Sequence, residues 1–156
     1  MTLQRCILGK SGISVSELAF GTLPMGPMQA NLTPEDGAKA IVRALELGVN
    51  FIDTATMYRT YEPIRLALTM HPTADVVINS KSAAATYEDM ERDIELARTS
   101  LGRYPDIFML HGARAAQPIE ERPGAIECLC EYKAKGRLRA IGISTHYAHV
   151  AKAVAS

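Results

Sequence analysis

Apolar residues along this chain arrive alternately in short unbroken runs and in stripes three or four positions apart, the signatures of strands and helices in turn. Residues 5–18 (RCILGKSGISVSEL) hold two short apolar runs around Lys-Ser-Gly, which predicts a hairpin whose glycine takes the unusual backbone angles of the turn. Residues 18–22 (LAFGT) read as an apolar strand, and the Pro/Gly/Met-rich stretch 23–32 as a loop too irregular for either regular structure. Thr33-Pro34-Glu35-Asp36 then opens a helix, with a capping hydroxyl, proline at the first helical position and acids in the first turn. Its buried stripe is Ala38, Ile41, Val42 and Leu45, and Gly48 ends it.

The same alternation continues to the end of the sequence. Strands are predicted at 49–53 (VNFID), 75–80 (DVVINS), 106–110 (DIFML) and 138–144 (LRAIGIS). Helices fall at 61–70, at 86–101 with Met90, Ile94, Ala97 and Leu101 on one face, at 118–135 and at 146–156. Gly102 and Gly136 follow two of them as stop signals. Five βα units in a row imply a parallel sheet buried on both faces, either doubly wound or closed into a barrel. Periodicity does not choose between the two.

Length and charge narrow the functional classes. A chain of 156 residues, 47% hydrophobic and 22% charged, is the size of one domain, taken as residues 1–156. Acidic and basic residues balance at 17 each and neither sign forms a block, which argues against nucleic-acid and membrane-surface partners. No stretch approaches the ~18 apolar residues of a spanning helix and the first ten lack a signal-peptide core, so a cytoplasmic location is expected. Cys6, Cys128 and Cys130 read as buried apolar thiols rather than as a disulfide framework or metal ligands.

Reactive groups in parallel α/β folds gather where strands end, and three successive strands here deliver ionisable side chains to one rim. Asp53 ends VNFID, Tyr58 follows it, Lys81 follows VVINS and His111 follows DIFML. Any one of these alone is a cap, a packing residue or a solvated charge; their joint placement is the signal. A phenol with an ordinary pKa of about 10 donates a proton poorly at neutral pH unless a nearby cation stabilises its phenolate, which Lys81 could supply. Asp53 would hold Lys81 in place, and His111 would polarise a carbonyl oxygen or pass a proton to Tyr58. Metal ligation by Asp53 and His111 with His146 and His149 is the weaker alternative, because Lys81 would repel the cation.

These residues, taken in order, resemble the aldo-keto reductase family. The resemblance rests on LGKSGISVSELAFGT, on the DTA-x-x-Y segment, on the lysine and histidine after the next two strands, on ARTSLGRYPDIFMLH and on RAIGIS. It implies a (β/α)8 TIM-type barrel, here incomplete with about five of eight βα units and an N-terminal hairpin cap. It implies hydride transfer from NADPH, or NADH, to a small-molecule aldehyde or ketone, with Tyr58 as acid supported by Asp53, Lys81 and His111. Gly21, Thr22, Asp53, Ser144 and Thr145 would meet the nicotinamide end of the cofactor, and no metal is implied.

The sequence departs from that pattern in three places. Thr145 and His146 stand where the family usually has asparagine after the serine, and RTYEP lengthens the link from Tyr58 to the matching glutamate, Glu62. A full barrel takes about 250 residues, so the segments that grip the pyrophosphate and adenosine are not among these 156. Open strand edges then predict self-association, and the competing expectation is a non-catalytic scaffold or truncated barrel fragment without cofactor binding.

Overall fold

The computed structural model describes residues 3–72, 74–114 and 118–155. A hairpin of β1 (Arg5–Ile7) and β2 (Ser14–Ser16) comes first, with Cys6 opposite Val15 and left-handed glycines in its turn, Gly9 at φ 54° and Gly12 at φ 71°. Ile13 and Val15 are buried against Val77 and Ile107, the first residues of two later strands, so the hairpin covers the amino end of the sheet.

The sheet itself is parallel and runs β3 (Ala19–Gly21), β4 (Phe51–Asp53), β5 (Val77–Ser82), β6 (Ile107–Leu110), β7 (Ala140–Ile143) in sequence order. Between the strands lie α1 (Pro34–Glu46), α2 (Tyr61–Met70), α3 (Tyr87–Leu101), then α4 (Pro118–Glu121) with α5 (Pro123–Ala134); α6 (Ala148–Ala155) follows β7. The hydroxyls of Thr33 and Thr86 accept hydrogen bonds from the backbone N–H of Asp36 and Asp89, each at 3.2 Å, and so cap α1 and α3.

One core fills the space between sheet and helices. Ile52, Ile78, Phe108 and Leu110 meet Ile41, Ile64, Ile94 and Leu129, all fully buried; each such side chain contributes about 1.5–3 kcal/mol. All four positions expected on α3 are buried, whereas on α1 Ala38, Ile41 and Ala44 face inward and Val42 and Leu45 lie at the margin. Helices α1 and α2 approach closely because position 37 is glycine: a Cβ there would stand 2.9 Å from Pro63 Cβ.

The structure corrects four expectations. Residues 118–135 are two helices, because Arg122 (φ −142°, ψ 62°) leaves helical geometry before Pro123, whose ring restricts it. The loop 23–32 carries a turn of 3-10 helix at Leu23–Met25. β5 runs on to Ser82, so Lys81 lies within the strand rather than after it. Only Cys128 is buried, its thiol pushed up to about 12, chiefly by burial; Cys6 and Cys130 are exposed.

Among the described residues each outer strand, β3 and β7, has one hydrogen-bonded neighbour. Beside β3 an apolar groove of about 480 Å³ is lined by residues including Leu3, Leu18, Phe20 and Leu47. This is a five-stranded, incomplete (β/α) barrel. Among the described residues no helix is long and apolar enough to cross a membrane.

Candidate active site

Strand register assembles the charged pair. β4 and β5 run parallel with Asp53 opposite Asn79, and Lys81, two residues further along, points to the same face. Asp53 Oδ1 therefore accepts from Asn79 Nδ2 at 2.7 Å and from Lys81 Nζ at 2.7 Å, and Oδ2 accepts from Nζ at 2.8 Å. The ammonium also donates to the Thr54 carbonyl at 2.7 Å. Lys81 is 5% exposed, and every one of these bonds is charge-assisted.

Tyr58 closes a 3-10 turn, Thr56–Tyr58, that the left-handed Arg59 (φ 55°) ends. The Lys81 ammonium stands 5.4 Å from the Tyr58 ring centroid, and the His111 ring meets Tyr58 edge-on at 5.7 Å and 83°. Gly26 allows this placement from the loop before α1, since a Cβ there would come within 2.5 Å of the Tyr58 carbonyl oxygen. The four residues named from the sequence thus share one rim.

Their electrostatics differ from the sequence expectation at one point. Burial, then the Asp53 carboxylate, hold the Tyr58 phenol above its ordinary value; no lowering by Lys81 emerges. The reason is geometric: the lysine's charge is turned onto Asp53 and Thr54. Burial lowers the His111 imidazole below its usual range, with Lys81, His146 and Arg122 acting in the same direction and Asp53 against them. At neutral pH this rim offers a protonated phenol and a neutral imidazole, two hydrogen-bond donors for an oxygen.

Of the expected cofactor residues, Gly21 ends β3 in open space and Ser144, half-buried, follows β7. The other two hydroxyls are engaged within the protein: Thr22 with Thr60 at 2.7 Å, and Thr145 with the Ala113 carbonyl at 2.7 Å while capping the Tyr147 N–H. Glu62 is exposed in the first turn of α2. His146 and His149 lie on the exposed segment after β7, and Lys81 Nζ occupies both Asp53 oxygens, which leaves the metal reading without support from this geometry.

Sequence reasoning missed Asn79, the Thr54 carbonyl, Gly26 and Arg122. Period-two alternation from Lys81 would have reached Asn79. Arg122 lies 11 residues beyond His111 in the chain, yet its Nη1 donates to the His111 carbonyl at 3.1 Å; no local pattern announces that.

Comparison with known proteins bears on the family and the fold. The family model described as Aldo/keto reductase family matches residues 17–156. A protein of Glycine max named "Probable aldo-keto reductase 1" is 32% identical over 158 residues, covering 91% of this chain and 45% of its own length. The Bacillus subtilis protein "Uncharacterized oxidoreductase YqkF" is 30% identical over 162 residues, covering 93% and 50%. Among solved structures, the holo form of an aldo-keto reductase from Bacillus halodurans superposes with a TM-score of 0.79 at 26% identity, over 96% of this chain and 53% of that one. The chain spans about half the length of these relatives. With nine-tenths of its residues inside the family match, this chain belongs to the aldo/keto reductase family.

Proposed function

We propose that this chain carries the proton-transfer half of an NAD(P)H-dependent carbonyl reductase. The observation that carries the reading is the Lys81–Asp53 pair set against Tyr58, with His111 edge-on to the same ring. Such a set protonates an oxygen while the adjoining carbon is reduced.

Roles follow from the environments. Tyr58 is the acid: burial keeps its proton in place at neutral pH, so the phenol reaches the substrate loaded. His111, held neutral, donates a hydrogen bond to the carbonyl oxygen and draws charge toward it. Lys81 sits close enough to the ring to attract the phenolate once the proton leaves, and Asp53 with Asn79 fixes the ammonium's position. NADPH or NADH, when bound, would supply the hydride.

The residues at the nicotinamide end fit that group in part. Gly21 leaves its backbone open to a close approach and Ser144 offers a hydroxyl. Thr22 and Thr145 are proposed to act through position, shaping the floor and the β7 turn, because their hydroxyls already have partners.

The test is a fluorescence titration of NADPH into the purified 156-residue chain, followed by aldehyde-dependent NADPH oxidation by wild type and Tyr58→Phe. Saturable binding, with turnover lost in Tyr58→Phe but binding kept, is the expected result. A folded chain that binds no NADPH would overturn the reductase reading for this chain and leave the scaffold reading.

A further inference from the structure

A guanidinium beside His111 has three of its five N–H donors unused among the described residues. Arg122, the N-cap residue of α5, is 8% exposed and spends Nη1 on two carbonyl oxygens, those of His111 at 3.1 Å and Ala83 at 3.4 Å. Its Nε and Nη2 are shielded from solvent and have no hydrogen-bond partner among the described residues. Those two groups lie on one edge of the planar guanidinium, the edge that holds a carboxylate or phosphate by two parallel bonds. A buried cation normally sits against an anion, because carbonyl oxygens alone do not replace the water it has lost.

Arg122 also lines a cleft of about 380 Å³ with His111, Met57, Gly112, Arg114 and Glu121. Two arginines against one glutamate leave this lining with a net charge of +1. The cleft lies where β5 and β6 end, the middle of the sheet, whereas Gly21 and Ser144 stand at the ends of the outer strands β3 and β7. An anion drawn to Arg122 therefore belongs to the substrate rather than to the nicotinamide.

Resting on the carbonyl-reduction reading, we propose that this cleft is an anion subsite and that the substrates are aldehydes or ketones bearing a carboxylate or phosphate. The oxo group lies at Tyr58 and His111, and the anionic end enters beside Arg122, whose guanidinium turns its unpartnered edge, closed to solvent in this structure, toward it. Arg114, exposed at the cleft, adds a second positive charge that Glu121 partly offsets.

Binding is the direct test, since it requires neither turnover nor a nicotinamide. The 15N-labelled full chain is titrated with 4-oxobutanoate and with glyceraldehyde 3-phosphate, each against its uncharged counterpart, butanal or glyceraldehyde. The readout is the Arg122 Nε–H signal, assigned by its loss in Arg122→Lys or, should that variant not fold, by through-bond correlation to the Arg122 backbone in the wild-type chain. We expect a saturable shift with one anionic compound, which tells carboxylate from phosphate, and none with the neutral ones. Arg122→Lys should weaken that binding at least tenfold and leave the neutral compounds unaffected. Failure of both anionic compounds to move the signal, or undiminished binding by Arg122→Lys, overturns the subsite. If Arg122→Lys does not fold, the wild-type comparison of charged with neutral ligands decides alone. A chain that binds the anion yet fails the NADPH titration loses the reductase reading and keeps the anion site; the reverse result removes only the subsite.

Discussion

Lys81→Met separates what the charged pair does for stability from what it does for chemistry. Methionine keeps an unbranched apolar stem of similar length, so packing changes little, but three charge-assisted bonds vanish: two to Asp53 and one to the Thr54 carbonyl. Thr54 is fully buried and its carbonyl loses its ammonium partner, whereas Asp53 keeps the Asn79 bond and a side chain 34% exposed that water can partly rehydrate. Removing one partner of a buried pair costs about 3–5 kcal/mol, and the partial exposure of Asp53 lowers the expectation to about 2–3 kcal/mol. That is roughly a 30- to 150-fold fall in the folded-to-unfolded ratio.

Urea unfolding followed by circular dichroism at pH 7 measures it, with an unchanged slope showing that the same surface unfolds. The double variant Asp53→Leu with Lys81→Met should be more stable than Lys81→Met alone, because no unpaired carboxylate remains. A Lys81→Met unfolding free energy within about 0.5 kcal/mol of wild type would refute the reasoning, since an ordinary surface substitution costs that much.

Three further outcomes are expected. The His111 imidazole should titrate below the ordinary value of 6.5 when followed by NMR; the unfolded chain then binds the extra proton first, so this group's contribution to stability falls as pH drops through 6.5 and below. A His111 midpoint at or above 6.5 would contradict the burial argument. Gly26→Ala should force the loop off the Tyr58 carbonyl, costing about 1–3 kcal/mol of stability and altering the Tyr58 ring environment in NMR spectra, whereas wild-type-like spectra would show that the contact yields freely. Open β3 and β7 edges and the apolar groove beside β3 should make the 156-residue chain associate at raised concentration; a concentration-independent monomer in size-exclusion chromatography with light scattering would contradict this.

What the sequence disclosed was whatever the chain states locally. Thr33 and Thr86 announced their helices because a cap, its acids and its apolar stripe lie within a few residues of one another. The end of β5 was expected two residues early, at Ser80 rather than Ser82, because Asn79, Ser80 and Lys81 look like a strand's polar exit. In a parallel sheet covered on both sides, however, β5 buries Asn, Ser and Lys in line with Val and Ile. Pro123 carried a break that the surrounding helix formers masked. Candidate acid, base and cation could be named because three strands end alike, but whether the lysine's charge reaches the tyrosine depends on the β4–β5 register, which no single segment encodes.

That register also divides the site by robustness. Asp53, Lys81 and His111 belong to β4, β5 and the end of β6, strands with neighbours on both sides, and Tyr58 is held by Gly26 and the turn after β4. Gly21 and Ser144 end the two strands with one neighbour each. Local opening begins where hydrogen bonds and apolar contacts are fewest, which here means β3 and β7. The proton-transfer geometry should therefore persist under conditions that loosen the outer strands, while affinity at the nicotinamide end declines first. Under the proposed function, mild urea would raise the concentration of NADPH needed for half-saturation well before it disturbs the His111 titration.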